Sequence, residues 1–297
     1  INGSTFSKRG LTINPQSAPF VVGKKVSISS DGTKILTMKR VIPLIKFAYY
    51  EYESGSWLEH GPSVNQGTTN LLELSLSGNG NNLLLLYADR FIMNTPVTET
   101  AEVGWQKLGP DITVSSIAQL PDDTTHTPSS TPGARSTPGG IIEEQIGHVV
   151  EISDDGLTVA IGLPFLAMGT GSTIVAIGAA VVFTWGGSDW VQLGGLIVPK
   201  YTNNASLSLK QNMKAESHMY SGASISLSGD GQYLCVGSPG YHPDEADKFI
   251  NYSSDQRLNS LPSTHGATTW TLYKRNAVYA PANDHYSVGW EPIHTKY

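Results

Sequence analysis

The stretch Ser224-Ile225-Ser226-Leu227-Ser228-Gly229-Asp230-Gly231, followed by Tyr233-Leu234-Cys235-Val236, decides the fold, because its parts return three more times along the chain. It alternates apolar and polar residues, reaches a Ser-x-Asp-Gly corner and resumes in an apolar run. Alternation marks a strand, and Asp-Gly or Asn-Gly is the strongest short hairpin signal. The turn expected here is type I′, with positive φ at both central residues. The corner recurs as Ser29-Ser30-Asp31-Gly32, Ser77-Gly78-Asn79-Gly80 and Ser153-Asp154-Asp155-Gly156. Its flanks recur too: Val26-Ser27-Ile28-Ser29 leads into one copy, while Lys34-Ile35-Leu36 and Leu83-Leu84-Leu85-Leu86 follow two others. Each copy predicts strand, tight turn, strand.

A tryptophan follows each corner, with a short link to Leu-Gly or its equivalent. The copies are Trp57-Leu58, Trp105-Gln106-Lys107-Leu108-Gly109, Trp190-Val191-Gln192-Leu193-Gly194 and Trp290-Glu291-Pro292-Ile293. The spacing from Asp31 to Trp57 equals that from Asn79 to Trp105. Between corner and tryptophan a third strand is expected, at Lys46–Tyr50, Ala180–Phe183 and Thr269–Tyr273, with a polar and weaker candidate at Val97–Val103. Four strands per unit and four units predict an all-β, β-propeller-like array of about four four-stranded antiparallel blades in one repeat domain. The blades span about 21–64, 70–112, 145–197 and 220–297. An N-terminal extension covers 1–20, and a Thr/Ser/Pro-rich insertion covers 113–144. A sheet of this kind cannot bury both faces alone, so each must stack on its neighbours.

Three units carry a glycine eight residues before the turn acid, namely Gly23, Gly147 and Gly222. Two carry Gly-x-Pro after the second strand, Gly162-Leu163-Pro164 and Gly237-Ser238-Pro239. This pattern resembles the FG-GAP repeat, the blade unit of integrin α-chain propellers and many extracellular proteins. The resemblance covers most of the chain and implies a propeller. Calcium-binding members carry alternating carboxylates before the turn glycine, since calcium takes six to eight oxygen ligands. Here Ser29, Ser30, Ser77, Gly78, Ser153, Asp154, Ser228 and Gly229 stand in that region, so no calcium and no other cofactor is expected.

The composition narrows the function classes. Charged residues are 15%, and serine, threonine, asparagine and 31 glycines take their place. A net charge of −6 argues against nucleic acid, whose phosphates need a concentrated basic face; Lys34, Lys39 and Arg40 are too few. The longest apolar stretch, Ile174 to Phe183, is too short and too glycine-broken to span a bilayer. A single cysteine, Cys235, excludes an intrachain disulfide and is expected as a buried structural thiol. Asn2, Asn204 and Asn251 each head an Asn-x-Ser acceptor pattern. With the Thr/Ser/Pro-rich segment and the start at Ile1 rather than Met, they fit a processed protein at the cell surface or beyond it.

No reaction is legible. His60, His126, His148, His218, His242, His265, His285 and His294 lack metal-ligand spacing and are read as loop or surface residues. His242-Pro243-Asp244-Glu245-Ala246-Asp247 reads as a solvated acidic loop. Glu143 and Glu144, adjacent on an extended chain, point apart and cannot share a substrate. The Asp122-Asp123 pair with His126 lies in the Thr/Pro-rich loop. Met168-Gly169-Thr170-Gly171-Ser172 lacks the helix that a phosphate loop needs. The repeated tryptophans are expected in the core. Trp185, Trp270, Tyr241 and Tyr252 fall outside that repeat and are the candidate contact aromatics. The functional expectation is an extracellular structural or adhesive module, not an enzyme, acting through protein contacts that include copies of itself. Leu11 to Phe20 is a candidate added strand for such contacts. The alternative is a glycan-binding propeller, and a polysaccharide-active enzyme ranks third.

Overall fold

A computed structural model describes residues 21–41, 44–60, 71–87, 90–97, 104–113, 149–164, 167–168, 175–176, 178–198, 220–239, 269–280 and 288–296, with Ile13 and Ile117 singly. These residues form four antiparallel sheets in chain order. The first holds β1 (Val21–Ile28), β2 (Lys34–Val41), β3 (Leu44–Glu53) and β4 (Ser56–His60). The second holds β5 (Leu71–Leu76), β6 (Leu83–Tyr87), β7 (Arg90–Val97) and β8 (Gly104–Lys107), with β9 (Ile112–Thr113) also paired to β7. In the third, β10 (Val150–Ile152) and β11 (Thr158–Leu163) precede a small hairpin of β12 (Ala167–Met168) and β13 (Val175–Ala176). Strands β14 (Ala179–Trp185) and β15 (Trp190–Gln192) complete the sheet in the order β10-β11-β14-β15. The fourth holds β16 (Ser224–Leu227), β17 (Tyr233–Ser238), β18 (Thr269–Arg275) and β19 (Trp290–Lys296). The chain is an all-β, propeller-like array of four four-stranded blades.

Two local expectations change. The third strand of the second sheet is Arg90–Val97, where Leu84 pairs with Met93 and Leu86 with Phe91, and not Val97–Val103. Its apolar residues follow the run Leu83–Leu86 too closely to stand out as a separate element by pattern alone. The corners are also not type I′. In each, only the glycine has positive φ (Gly32 67°, Gly80 68°, Gly156 75°, Gly231 67°), and its N–H bonds the carbonyl of the first serine. The acid before the glycine keeps an ordinary φ because its side chain closes the turn by hydrogen bonds.

Packing runs from sheet to sheet along the chain. Leu36, Met38, Phe47 and Tyr49 of the first sheet meet Leu74, Leu76, Leu83, Leu85 and Ile92 of the second. The opposite face of the second, with Leu84, Leu86, Phe91 and Met93, meets Val150, Ile152, Val159, Ile161 and Phe183 of the third. Ala160, Ala180 and Val182 of the third meet Ile225, Leu234, Val236 and Tyr273 of the fourth. An interior sheet is therefore buried on both sides, which is why Leu83-Leu84-Leu85-Leu86 is apolar at every position rather than at alternate ones. Each sheet has a leading face toward its predecessor and a trailing face toward its successor. Strands of neighbouring sheets pack first on second, second on third and third on fourth. Among the described residues no comparable packing joins the fourth sheet to the first.

Candidate functional site

The four corners come together where the first strands of successive sheets meet. Ser30 N–H donates to the Gly78 carbonyl (2.8 Å), Asn79 N–H to the Asp154 carbonyl (2.8 Å), and Asp154 N–H to the Gly229 carbonyl (2.8 Å). The second residue of every corner thus joins one ladder that crosses all four sheets. The Asp154 side chain sits at its centre and accepts from the Ser30 hydroxyl at 3.1 Å. Gly78 and Gly229 lie so close to its carboxylate that a β-carbon at either would overlap an oxygen. Serine, glycine, aspartate and glycine at this position therefore form a matched set, with one acid filling the space that two glycines leave.

The third corner residues, three aspartates and one asparagine, are engaged within their own corners. Ser29, Ser77, Ser153 and Ser228 donate their hydroxyls to Asp31 (2.6 Å), Asn79 (2.7 Å), Asp155 (2.6 Å) and Asp230 (2.5 Å). The N–H two residues on, from Thr33, Asn81, Leu157 and Gln232, donates to the same oxygen. Bonding to the charged form holds the Asp31 carboxyl at about 2, chiefly through the Ser29 hydroxyl and then through Thr33. The Ser228 hydroxyl and Gln232 N–H lower Asp230 in the same way.

Below the corners, the Lys25 ammonium pairs with the Glu73 carboxylate. Glu151, on β10, has its carboxyl raised to about 7, first by burial and second by the charge of Glu73. A carboxyl poised near neutrality is a common property of acid–base sites. Among the described residues, however, none other than Glu73 is shown to act on it, and no nucleophile is placed beside it.

A second cluster was hidden in the sequence because hairpin register creates it. Tyr49 pairs with His60, Glu51 with Leu58 and Glu53 with Ser56, so Glu51, Glu53 and His60 share one face. Their ligand atoms lie within 4.8 Å of one another. His60 Nε2 stands 2.9 Å from Glu53 Oε1, off the direction a hydrogen bond requires. His60 is thus a strand residue, where a loop or surface position was expected. Two carboxylates and an imidazole suit a borderline divalent cation. Glu51 is already partly engaged, accepting from the Tyr49 hydroxyl at 2.7 Å with Lys34 Nζ at 4.0 Å.

The repeated tryptophans act at the joints. Trp190 Nε1 donates to the Leu108 carbonyl of the preceding sheet (2.9 Å), and Trp290 Nε1 to the Leu193 carbonyl of its own predecessor (2.9 Å). At these two joints the Leu of the Leu-Gly after one tryptophan receives the next tryptophan, whereas the buried Trp105 Nε1 has no hydrogen-bond partner among the described residues. Trp105 packs edge-on against Tyr49 at 5.0 Å. Trp57, in the first sheet, lies half-buried beside Tyr52 at 5.2 Å. The contact aromatic Trp185 is half-buried over Gly109 and 5.3 Å from Trp190. Trp270 is 37% exposed, its ring 5.2 Å from that of His294. Tyr241, Tyr252, Asn2, Asn204 and Asn251 lie outside the described residues. Cys235, expected to be buried, is half-exposed on the trailing face of the fourth sheet. Partial burial raises its thiol pKa.

Among the described residues no helix is long and apolar enough to cross a membrane. No protein-family model matches the chain, and no curated protein is similar to it. Solved structures resemble it at low identity. The tricorn protease is 14% identical, with 91% of this chain and 21% of that one aligned at a TM-score of 0.40. A 6-phosphogluconolactonase-like protein from Bacteroides fragilis NCTC 9343 is 13% identical over 90% of this chain and 55% of that one, also at 0.40. A functionally unknown protein from Desulfotomaculum acetoxidans DSM 771 is 8% identical over 91% and 54%, at 0.43. The chain therefore spans little more than half of these proteins at most.

Proposed function

We propose that the chain is a structural or adhesive module that works outside the cell through protein–protein contacts, including contacts with copies of itself. The observation that carries this reading is the contrast between the two parts of the molecule. The polar groups of the axial corners are engaged by one another, whereas the outermost sheet faces expose apolar side chains at Val26 (60%), Ile28 (55%) and Trp270 (37%). Exposed apolar surface of this kind is where a folded protein meets a partner. The likeness of the glycine pattern to FG-GAP repeats and the Asn-x-Ser motifs support the extracellular setting.

Sedimentation velocity from about 1 to about 100 μM tests the reading. Species that grow with concentration are expected. A single monomer boundary throughout, with no protein partner captured from the surface fraction of the source cells, refutes it. The exposed Trp270 favours a glycan-binding reading instead, which retention on a glycan array by monomers would support.

A further inference from the structure

Deepening that reading, and resting on it, we propose that copies associate head to tail. The trailing face of the fourth sheet of one copy would receive the leading face of the first sheet of the next, in the manner of the three joints inside the chain. The repeat itself carries the argument. Counted from the corner serine, Leu74 and Leu76, Val150 and Ile152, and Ile225 and Leu227 occupy equivalent leading-face positions and pack on the preceding sheet. Their equivalents in the first sheet are Val26 and Ile28, the two exposed residues.

The match extends across the sheet. Ile35 pairs with Tyr50 as Leu234 pairs with Tyr273, so the leading face of the first sheet reads Val26, Ile28, Ile35, Tyr50 where the fourth reads Ile225, Leu227, Leu234, Tyr273. Thr37, Ala48 and Tyr50 on this face are already buried, so the open part of it is confined to β1.

The receiving face is repeated as well. Ala160 with Val182 and Gly162 with Ala180 form the trailing face of the third sheet. In the fourth the same places hold Cys235 with Leu272 and Gly237 with Trp270. Both faces keep a glycine where, at the third joint, the next sheet comes closest: a β-carbon on Gly162 would collide with the Gly222 carbonyl. Gly23, placed before its corner as Gly222 is, supplies the equivalent backbone in the first sheet. Ile293, 47% exposed, stands three residues after Trp290 as Leu193 stands after Trp190. Continuity with three joints of the same pattern names the occupant as this chain's own first sheet. A face that receives a different face builds a ring where the rotation at each joint closes and an open series where it does not.

The test uses the whole chain with Ile28→Glu or Trp270→Glu, both at exposed positions, with Tyr233→Glu as a second variant on the receiving face. Circular dichroism checks that each is folded. Each variant alone is expected to associate at least about tenfold more weakly than wild type. An equal mixture of the two is expected to give 1:1 dimers that grow no further, because one intact face of each kind remains. Self-association that persists unchanged in both variants overturns the head-to-tail joint while leaving self-association standing. A wild type that stays monomeric fails the functional reading and the joint together.

Oxidising Ile28→Cys against Cys235, the only native cysteine, separates the remaining case. A ladder of linked copies supports the joint. A monomer closed by an internal link overturns it, since the first and fourth sheets would then meet within one chain.

Discussion

Replacing Gly162 by alanine inverts an ordinary rule. Alanine in a strand interior is worth about 0.5–1 kcal/mol more than glycine, since the unfolded chain loses freedom. Gly162 lies on β11 and has no positive φ that would penalise a side chain. Its β-carbon, however, would overlap the Gly222 carbonyl oxygen and stand 3.1 Å from the carbon of that group. The obstacle is backbone, so no rotamer change relieves it. Ordinary contact near 3.4 Å requires the third and fourth sheets to part by about an ångström or more, opening a core that is otherwise close-packed. Overpacking of this kind costs about 1–3 kcal/mol and more where backbone must move, so a net loss of roughly 2–4 kcal/mol is expected. Urea unfolding measures it, with Gly187→Ala as control. Nothing lies within 4 Å of that position, and its φ of +96° leaves only a backbone term of about 1 kcal/mol. A Gly162→Ala protein as stable as wild type, or more stable, would refute the close approach of these two sheets.

Other perturbations address other parts of the account. Glu151 has a folded-state carboxyl near 7 against an ordinary value of 4.5, so the folded chain binds its proton more tightly. Its contribution is neutral below about 4.5, and stability then falls as pH rises through about 7. Glu151→Gln should flatten that slope and raise stability at about pH 8 by on the order of 2–3 kcal/mol, read from melting curves across pH; an unchanged slope would count against the burial. Trp290→Phe leaves the Leu193 carbonyl without its donor and should cost about 1–3 kcal/mol in urea unfolding, with no loss refuting the tryptophan joint. The Asp31 carboxyl should titrate near 2 by NMR, and Ser29→Ala should move it toward the model-compound value of 3.8; a titration that stays put would exclude the serine as the main cause.

The parts of this fold that sequence makes legible are local in the chain. The Ser-x-Asp-Gly corner carries its own hydrogen bonds between residues at most five apart, and so marks a hairpin wherever it occurs. The tryptophans are visible as a repeat, but their function is not: Trp190 bonds a carbonyl 82 residues away. The third strand of the second sheet escaped because Leu83–Leu86 and Phe91–Met93 are apolar on both faces, which removes the alternation that marks a strand exposed on one side. The convergence of Ser30, Gly78, Asp154 and Gly229 depends on how four sheets stack, and no spacing encodes it. The Glu51, Glu53, His60 group depends on register across one hairpin, where a slip of a single residue would turn the side chains to opposite faces. The exposure of Val26 and Ile28 is the reverse case. Their positions read as core in every other copy, yet in the first sheet they are surface.

Electron microscopy of the purified whole chain, imaged across a dilution series, tests the central claim most directly. The expected result is head-to-tail assemblies, rings or open series, whose repeat is one four-sheet array, with the fourth sheet of each copy against the first of the next. Isolated four-sheet particles at every concentration would contradict it.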